Sequence, residues 1–145
     1  MQFTGKIEAR MDAKGRLFFP AEFRRHLDET EQRLVLKRDA YQPCLVIYPY
    51  GTWEGEVGEI RLRMNRWVPE EAMAFRQFMA DVEVFSLDAA GRFIVPKRFQ
   101  PLCGQERKVA FLGLGDRIEL WPAGNASTFM SPEEFTAVIQ KMMSK

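Results

Sequence analysis

The feature that most constrains this chain is that it contains itself twice. Asp12-Ala-Lys-Gly15-Arg16-Leu-Phe-Phe-Pro20-Ala-Glu-Phe23 aligns with Asp88-Ala-Ala-Gly91-Arg92-Phe-Ile-Val-Pro96-Lys-Arg-Phe99 at a constant offset of 76 residues. The shared pattern is D-A-x-G-R, three apolar residues, then P-x-x-F. Further on, Val46-Ile-Tyr48-Pro49 matches Glu119-Leu-Trp121-Pro122 at an offset of 73, so the second copy is three residues shorter. Anchors in one order at constant spacing mark an internal duplication. Two copies are too few for a stacked array, which needs about three. A pair of half-barrels folding together is the natural reading, and 145 residues suffice for one compact domain or two very small ones.

Each copy reads as short strands followed by a helix. Phe3, Gly5, Ile7, Ala9 and Met11 alternate with polar residues, the period of a half-buried strand. Asp12-Ala-Lys-Gly15 is a turn, with Asp at the first position and Gly at the fourth. Leu17–Phe19 is then expected to pair back as a hairpin until Pro20 stops the ladder. Residues 34–38 and 44–48 follow as strands, and 82–87, 92–95, 108–112 and 117–121 repeat the series. Trp53, Val57, Ile60 and Met64 form one helical stripe. Pro69-Glu70-Glu71 opens a second helix running to about Met79. Ser131 and Glu134 have capping-box spacing before a third, with Phe135, Val138, Ile139 and Met142 on its apolar face. The expected organisation is a first repeat over 1–66, a linking helix over 67–80 and a second repeat over 81–145, packed into one globular unit.

Composition narrows the function. The chain is 46% hydrophobic and 28% charged, which argues against disorder. No apolar run approaches the roughly 18–20 residues of a membrane span, and the N-terminus does not read as a signal peptide. Cys44 and Cys103 lie in apolar surroundings without metal-ligand spacing, so no disulfide, metal or other cofactor is expected and a reducing cytoplasm fits. The 21 Lys and Arg nearly balance the 20 Asp and Glu. Their distribution does not balance: residues 6–25 carry six basic and three acidic side chains, and residues 88–108 carry five and two. Two basic patches, one per copy and each built around the D-x-x-G-R turn, sit in an otherwise acidic molecule.

Phe3-x-Gly5 followed by Asp12-Ala-Lys-Gly15-Arg16-Leu-x-x-Pro20-x-x-Phe23-Arg24 resembles the first motif of the MraZ family. Asp88-x-x-Gly91-Arg92-x-x-x-Pro96 resembles its second, and the resemblance extends over nearly the whole chain, including Phe75-Arg76-x-Phe78. It implies an α+β fold of tandem SpoVT-AbrB-like β-barrel halves, related by a pseudo-two-fold axis in a swapped-hairpin, double-psi-like arrangement with flanking amphipathic helices. It also implies a cytoplasmic, nucleoid-associated transcriptional regulator, a repressor of the division and cell-wall gene cluster. The implied partners are double-stranded DNA, read as short repeated promoter boxes, and further copies of the chain in a ring-like homo-oligomer. No membrane or small-molecule substrate is indicated. Ala90 stands where the first motif has Lys14, so the halves need not contact DNA equally.

The residues support that reading on physical grounds. A β-hairpin can enter the major groove. Arg16 and Arg92 can each take guanine bidentately or clamp a phosphate, while Lys14 suits a phosphate as a point charge. Arg10 is a further DNA-binding candidate on the same face, flanked by Lys97 and Arg98. Asp12 and Asp88 would repel DNA and are assigned, with Gly15 and Gly91, to organising the turns. Arg24, Arg25, Arg61, Arg63 and Arg66 are read as solvated charges, Trp53, Trp67 and Trp121 as core or subunit contacts, and His26 as a surface side chain.

Two rivals compete. An enzyme with paired aspartates would need Asp12 and Asp88 to share a proton; the adjacent arginines favour both staying ionised, and no other catalytic motif is present, so no catalytic residue is assigned. An AbrB-like antitoxin, binding a toxin protein and DNA, would more usually carry one barrel unit and a disordered tail.

Overall fold

A computed structural model describes residues 2–124 and 129–145. Its strands are β1 (Lys6–Arg10), β2 (Arg16–Phe18), β3 (Leu34–Arg38), β4 (Leu45–Pro49), β5 (Val82–Phe85), β6 (Arg92–Ile94), β7 (Lys108–Gly113) and β8 (Ile118–Pro122). Its helices are α1 (Ala21–Arg24), α2 (Tyr50–Arg63), α3 (Pro69–Ala80) and α4 (Pro132–Met143), with a 3-10 turn at Gln100–Cys103. The periodicities in the sequence thus become elements within a few residues of the expected ends.

The pairing departs from the expected hairpin. Asp12 N–H donates to the Arg16 carbonyl at 3.0 Å, as a hairpin would begin, but the strands then part. β1 pairs with β7, and β2 pairs with β6, each antiparallel. The six-stranded sheet runs β1-β7-β8-β4-β3-β5, and β2-β6 is a separate ribbon. Exchanging each strand for its counterpart in the other copy reverses the sheet order and leaves it unchanged, so the duplication is a two-fold operation on the fold. In the ribbon that operation centres on Leu17 opposite Phe93, flanked by Arg16 opposite Ile94 and Phe18 opposite Arg92. The swap has a packing cause. Leu17 and Phe93 point inward from neighbouring ribbon strands, and both are buried with Phe19, Phe111, Leu36 and Leu120 in one core. A local hairpin would have left each half to close a core alone.

On the other face of the sheet, β3 and β4 are covered by α2 and α3. Val35, Val46 and Tyr48 pack with Trp53 and Val57 of α2, with Phe75 and Phe78 of α3 against them. Trp53 stacks on Phe78 at 5.1 Å between centroids. Pro69 stands at the first turn of α3, and Ser131 caps α4: its Oγ accepts from Glu134 N–H and donates to Glu134 Oε1. Phe135, Val138, Ile139 and Met142 of α4 are all exposed, so that helix presents an uncovered apolar face. Cys44 and Cys103 are buried and unpaired, and burial pushes their thiols up to about 12 and about 11. Among the described residues no helix is long and apolar enough to cross a membrane.

The N-terminal segment locks across β7. Gly113 N–H donates to the Gly5 carbonyl at 2.9 Å, and Phe3 and Gly115 exchange two backbone bonds. A Cβ on Gly113 would lie 2.5 Å from backbone atoms of Phe3 and Thr4, which have no side-chain freedom with which to yield. Gly113→Ala is therefore expected to destabilise the chain by about 3 kcal/mol, as overpacking against backbone does, measured by denaturant unfolding.

Candidate nucleic-acid interface

The two D-A-x-G-R segments fold into turns with the same hydrogen-bond pattern. Gly15 N–H closes the first on the Asp12 carbonyl at 3.0 Å, and Gly91 N–H closes the second on the Asp88 carbonyl at 2.9 Å. Both glycines have positive φ, 82° and 87°, a region that L side chains enter only at a cost. Asp12 Oδ1 accepts the backbone N–H groups of Lys14 and Arg16, each at 2.9 Å, and its Oδ2 accepts Arg16 Nε at 2.7 Å. Asp88 repeats the pattern with Ala90, Arg92 and Arg92 Nε at 3.0, 2.8 and 3.0 Å. The backbone N–H of the following arginine is the largest influence holding each carboxyl below its usual range. Each aspartate is thus an ionised bracket inside its own turn, an arrangement opposed to a proton shared between them.

The bracket leaves an arginine aimed outward. The Asp takes only Nε, and among the described residues neither Nη of Arg16 or Arg92 has an acceptor. The two side chains are equally accessible, 32% and 33%. Directly opposed residues of antiparallel strands share a face, so Arg16, Phe18, Arg92 and Ile94 lie together on the outer side of the ribbon. As diagonal neighbours, Arg16 and Arg92 have Cα atoms roughly 7–8 Å apart. Phe18 and Ile94 are 61% and 62% exposed between them. The sequence reading missed this apolar pair, because the alternation places them on the outer face only once β6 is known as the partner of β2.

Each turn is anchored by the opposite half. Val95 N–H donates to the Gly15 carbonyl at 2.8 Å, and Phe19 N–H to the Gly91 carbonyl at 2.9 Å. Beneath Gly15 lies Gln100, which donates to the Val95 carbonyl, and beneath Gly91 lies the guanidinium of Arg24. These two residues are counterparts at the 76-residue offset, and only one is charged. Arg24 thus remains solvent-exposed, as the sequence reading had it, but beside the second turn, where Ala90 replaces the first turn's Lys14. The first turn gathers exposed Lys14, and Arg107 joins it, donating from Nη1 to the Asp12 carbonyl at 2.9 Å. Arg10 lies at the end of β1 beside them and reaches the Glu106 carbonyl at 3.4 Å.

One sequence expectation changes. Arg98 does not flank the turns as a free cation: it is held by Glu83 at 2.8 Å and Asp81 at 3.2 Å, in a network that Arg38 joins through Asp81. The acids come from β5 and the residue before it, a proximity that local spacing does not reveal. Of the two roles read for the tryptophans, burial gives Trp53 and Trp121 the core, and Trp67, 80% exposed, is left with subunit contact.

The model of the family described as "MraZ protein, putative antitoxin-like" matches residues 2–76 and again 78–142. The chain belongs to the MraZ family. The twofold match falls on the two halves that the fold interleaves. Among similar MraZ proteins, one of Phocaeicola vulgatus is 45% identical over 99% of this chain and 94% of its own length. One of Bacteroides thetaiotaomicron is 42% identical over 99% of this chain and 94% of its own length. A more distant one, of Pseudomonas fluorescens, is 32% identical over 82% of this chain and 79% of its own length. All three are named transcriptional regulator MraZ.

Proposed function

We propose that this chain is a sequence-specific DNA-binding transcriptional regulator that acts through the outer face of the β2–β6 ribbon. The observation that carries this reading is the pair of Asp-bracketed arginines, one per half, on a single exposed face. A guanidinium fixed through Nε has lost much of its rotamer freedom and still offers a two-nitrogen fork to a guanine edge or a phosphate. Their Cα spacing corresponds to about two base-pair steps, so both reach one groove of one duplex. Lys14, Arg107 and Arg10 at one end, and Arg24 at the other, supply phosphate contacts that orient the ribbon. Phe18 and Ile94 suit contact with thymine methyl groups or sugar edges. The relatives' names agree with this role. The regulated genes are, on the family resemblance, the division and cell-wall cluster, with repression through repeated boxes and a cytoplasmic, nucleoid-bound location.

The test is fluorescence anisotropy with the duplex immediately upstream of the protein's own reading frame, against a scrambled duplex, across a salt series. Preference for the upstream duplex, with affinity falling linearly in log–log salt, is expected. Equal binding to both duplexes would remove the specific role.

A few cationic contacts per protomer give weak binding, and a near-neutral chain adds little long-range attraction. Assembly on repeated boxes raises avidity by about 10²–10⁴. We assign the assembly surface to α4. Its uncovered apolar face ends in Glu133 and Glu134, while exposed Leu62 and Trp67 on the same chain sit among Arg61, Arg63 and Arg66. The two surfaces are complementary and different, so contact between them is head-to-tail, the class of contact from which rings are built when the rotation between copies closes. Ile139→Glu is expected to convert the assembly to monomers in sedimentation velocity and to weaken binding to multiple boxes by about a hundredfold. An unchanged sedimentation coefficient would relocate the interface.

A further inference from the structure

On the face of the sheet opposite the ribbon, a cleft of about 580 Å³ opens where the end of β3 meets α2 and α3. Ile60, Met64, Ala74, Phe75 and Phe78 supply an apolar wall, and mostly charged residues line the rest. A volume of this size suits a small organic molecule.

Lys37 also lines the cleft and is out of place by composition. It is the one charged or polar residue among the described residues that is buried, at 6% exposure, and it lies two positions after Val35 on the helix-covered face of β3. Its Nζ donates to the Arg38 carbonyl and lies 4.7 Å from the centroid of the Phe78 ring. An ammonium has three donors, and among the described residues that carbonyl is its one hydrogen-bond acceptor.

Carboxylates are nearby, but each is committed elsewhere. Asp39 accepts the backbone N–H groups of Tyr41 and Gln42, Glu71 accepts that of Asn65, and Asp81 holds Arg38 and Arg98. Among the described residues none forms an ion pair with Lys37. The two other cations of the cleft have theirs: Arg38 pairs with Asp81 and Arg63 with Glu59. Asp39, Asp81 and Glu56 act on Lys37 only through space; a buried ammonium without a direct ion pair is costly, and a methionine would fill the same space without that cost. Desolvation accordingly pulls the Lys37 pKa below its ordinary value. The remaining donors and the apolar wall are complementary to one class of ligand.

We propose that this cleft binds a small carboxylate with an apolar body, its carboxylate pairing with Lys37 Nζ and its body lying against Met64, Phe75 and Phe78. The site is independent of the ribbon: it uses the opposite face of the sheet and none of the residues assigned to DNA.

Calorimetric titration of the full-length chain with decanoate, and with 1-decanol as the uncharged counterpart, tests this. Wild-type protein is expected to bind decanoate about tenfold or more tightly than 1-decanol. Lys37→Met is expected to bind the two alike while keeping or raising its melting temperature. Ala74→Trp, which fills the cleft and leaves Lys37 in place, is expected to bind neither. Failure of decanoate to bind the wild type, equal affinity for the alcohol, or undiminished decanoate binding by either variant would each overturn the proposal. The last would place the ligand on the exposed face of α4.

Discussion

A chain carrying Arg16→Ala and Arg92→Ala together is expected to fold normally and to lose specific DNA binding. Each arginine that takes a base edge contributes about 1–3 kcal/mol of discrimination, and one that clamps a phosphate changes the salt slope by about one. The two single variants separate these roles. A loss that is uniform across sequences marks a phosphate contact, whereas a loss confined to the preferred duplex marks a base contact. The fold should tolerate the change because both ion pairs are at the surface, where such pairs contribute little. Each aspartate also keeps its two backbone donors. Anisotropy and thermal unfolding on the same preparations provide the check. A double variant that binds like wild type would show that the ribbon face is not the interface.

The second large effect concerns stability. Phe93 lies on the two-fold of the ribbon, 4% exposed, and its ring meets those of Phe85, Phe19 and Phe111 at 5.0, 6.3 and 6.4 Å. Those partners come from three different strand segments, so no single side chain can move in to fill the space. Phe93→Ala is expected to cost about 3–5 kcal/mol. Its counterpart Leu17→Ala should cost about 2–5 kcal/mol at the same depth. Urea unfolding measures both. A cost below about 1 kcal/mol for Phe93→Ala would mean that the ribbon is not packed as described.

Local pattern carried the sequence reading a long way. The alternation from Phe3 to Met11, the Trp53–Val57 stripe, Pro69 and the Ser131–Glu134 cap each depend on residues a few positions apart, and each appears in the fold. The turns were legible for the same reason: an aspartate, a glycine three positions later and an arginine next are a complete local instruction. What sequence could not show was partnership. Asp12 and Arg16 begin a hairpin in both the expected and the observed pairing, and the strands separate only because Leu17 and Phe93 bury together. Arg24 could not be placed beside Gly91 because its counterpart at the other turn is Gln100, a pair that no motif joins. Arg98 looked free because Asp81 and Glu83 approach it only through the sheet. Nothing in the local pattern of 34–38 marks Lys37, since its burial comes from α2 and α3.

The crossed anchoring of the turns has a consequence for symmetry. Because Phe19 holds the second turn and Val95 the first, neither half can present a finished tip without the other. Two identical halves meeting in this way would form a dimer with a perfect dyad, and its natural target would read the same on both strands. Joining them in one polypeptide let the tips diverge, to Lys14 over Gln100 at one and Ala90 over Arg24 at the other. A fused pair of this kind has a front and a back. On the proposed DNA-binding role, it would sit on non-palindromic DNA in a single orientation, and successive copies would follow one another along the helix axis, all pointing the same way.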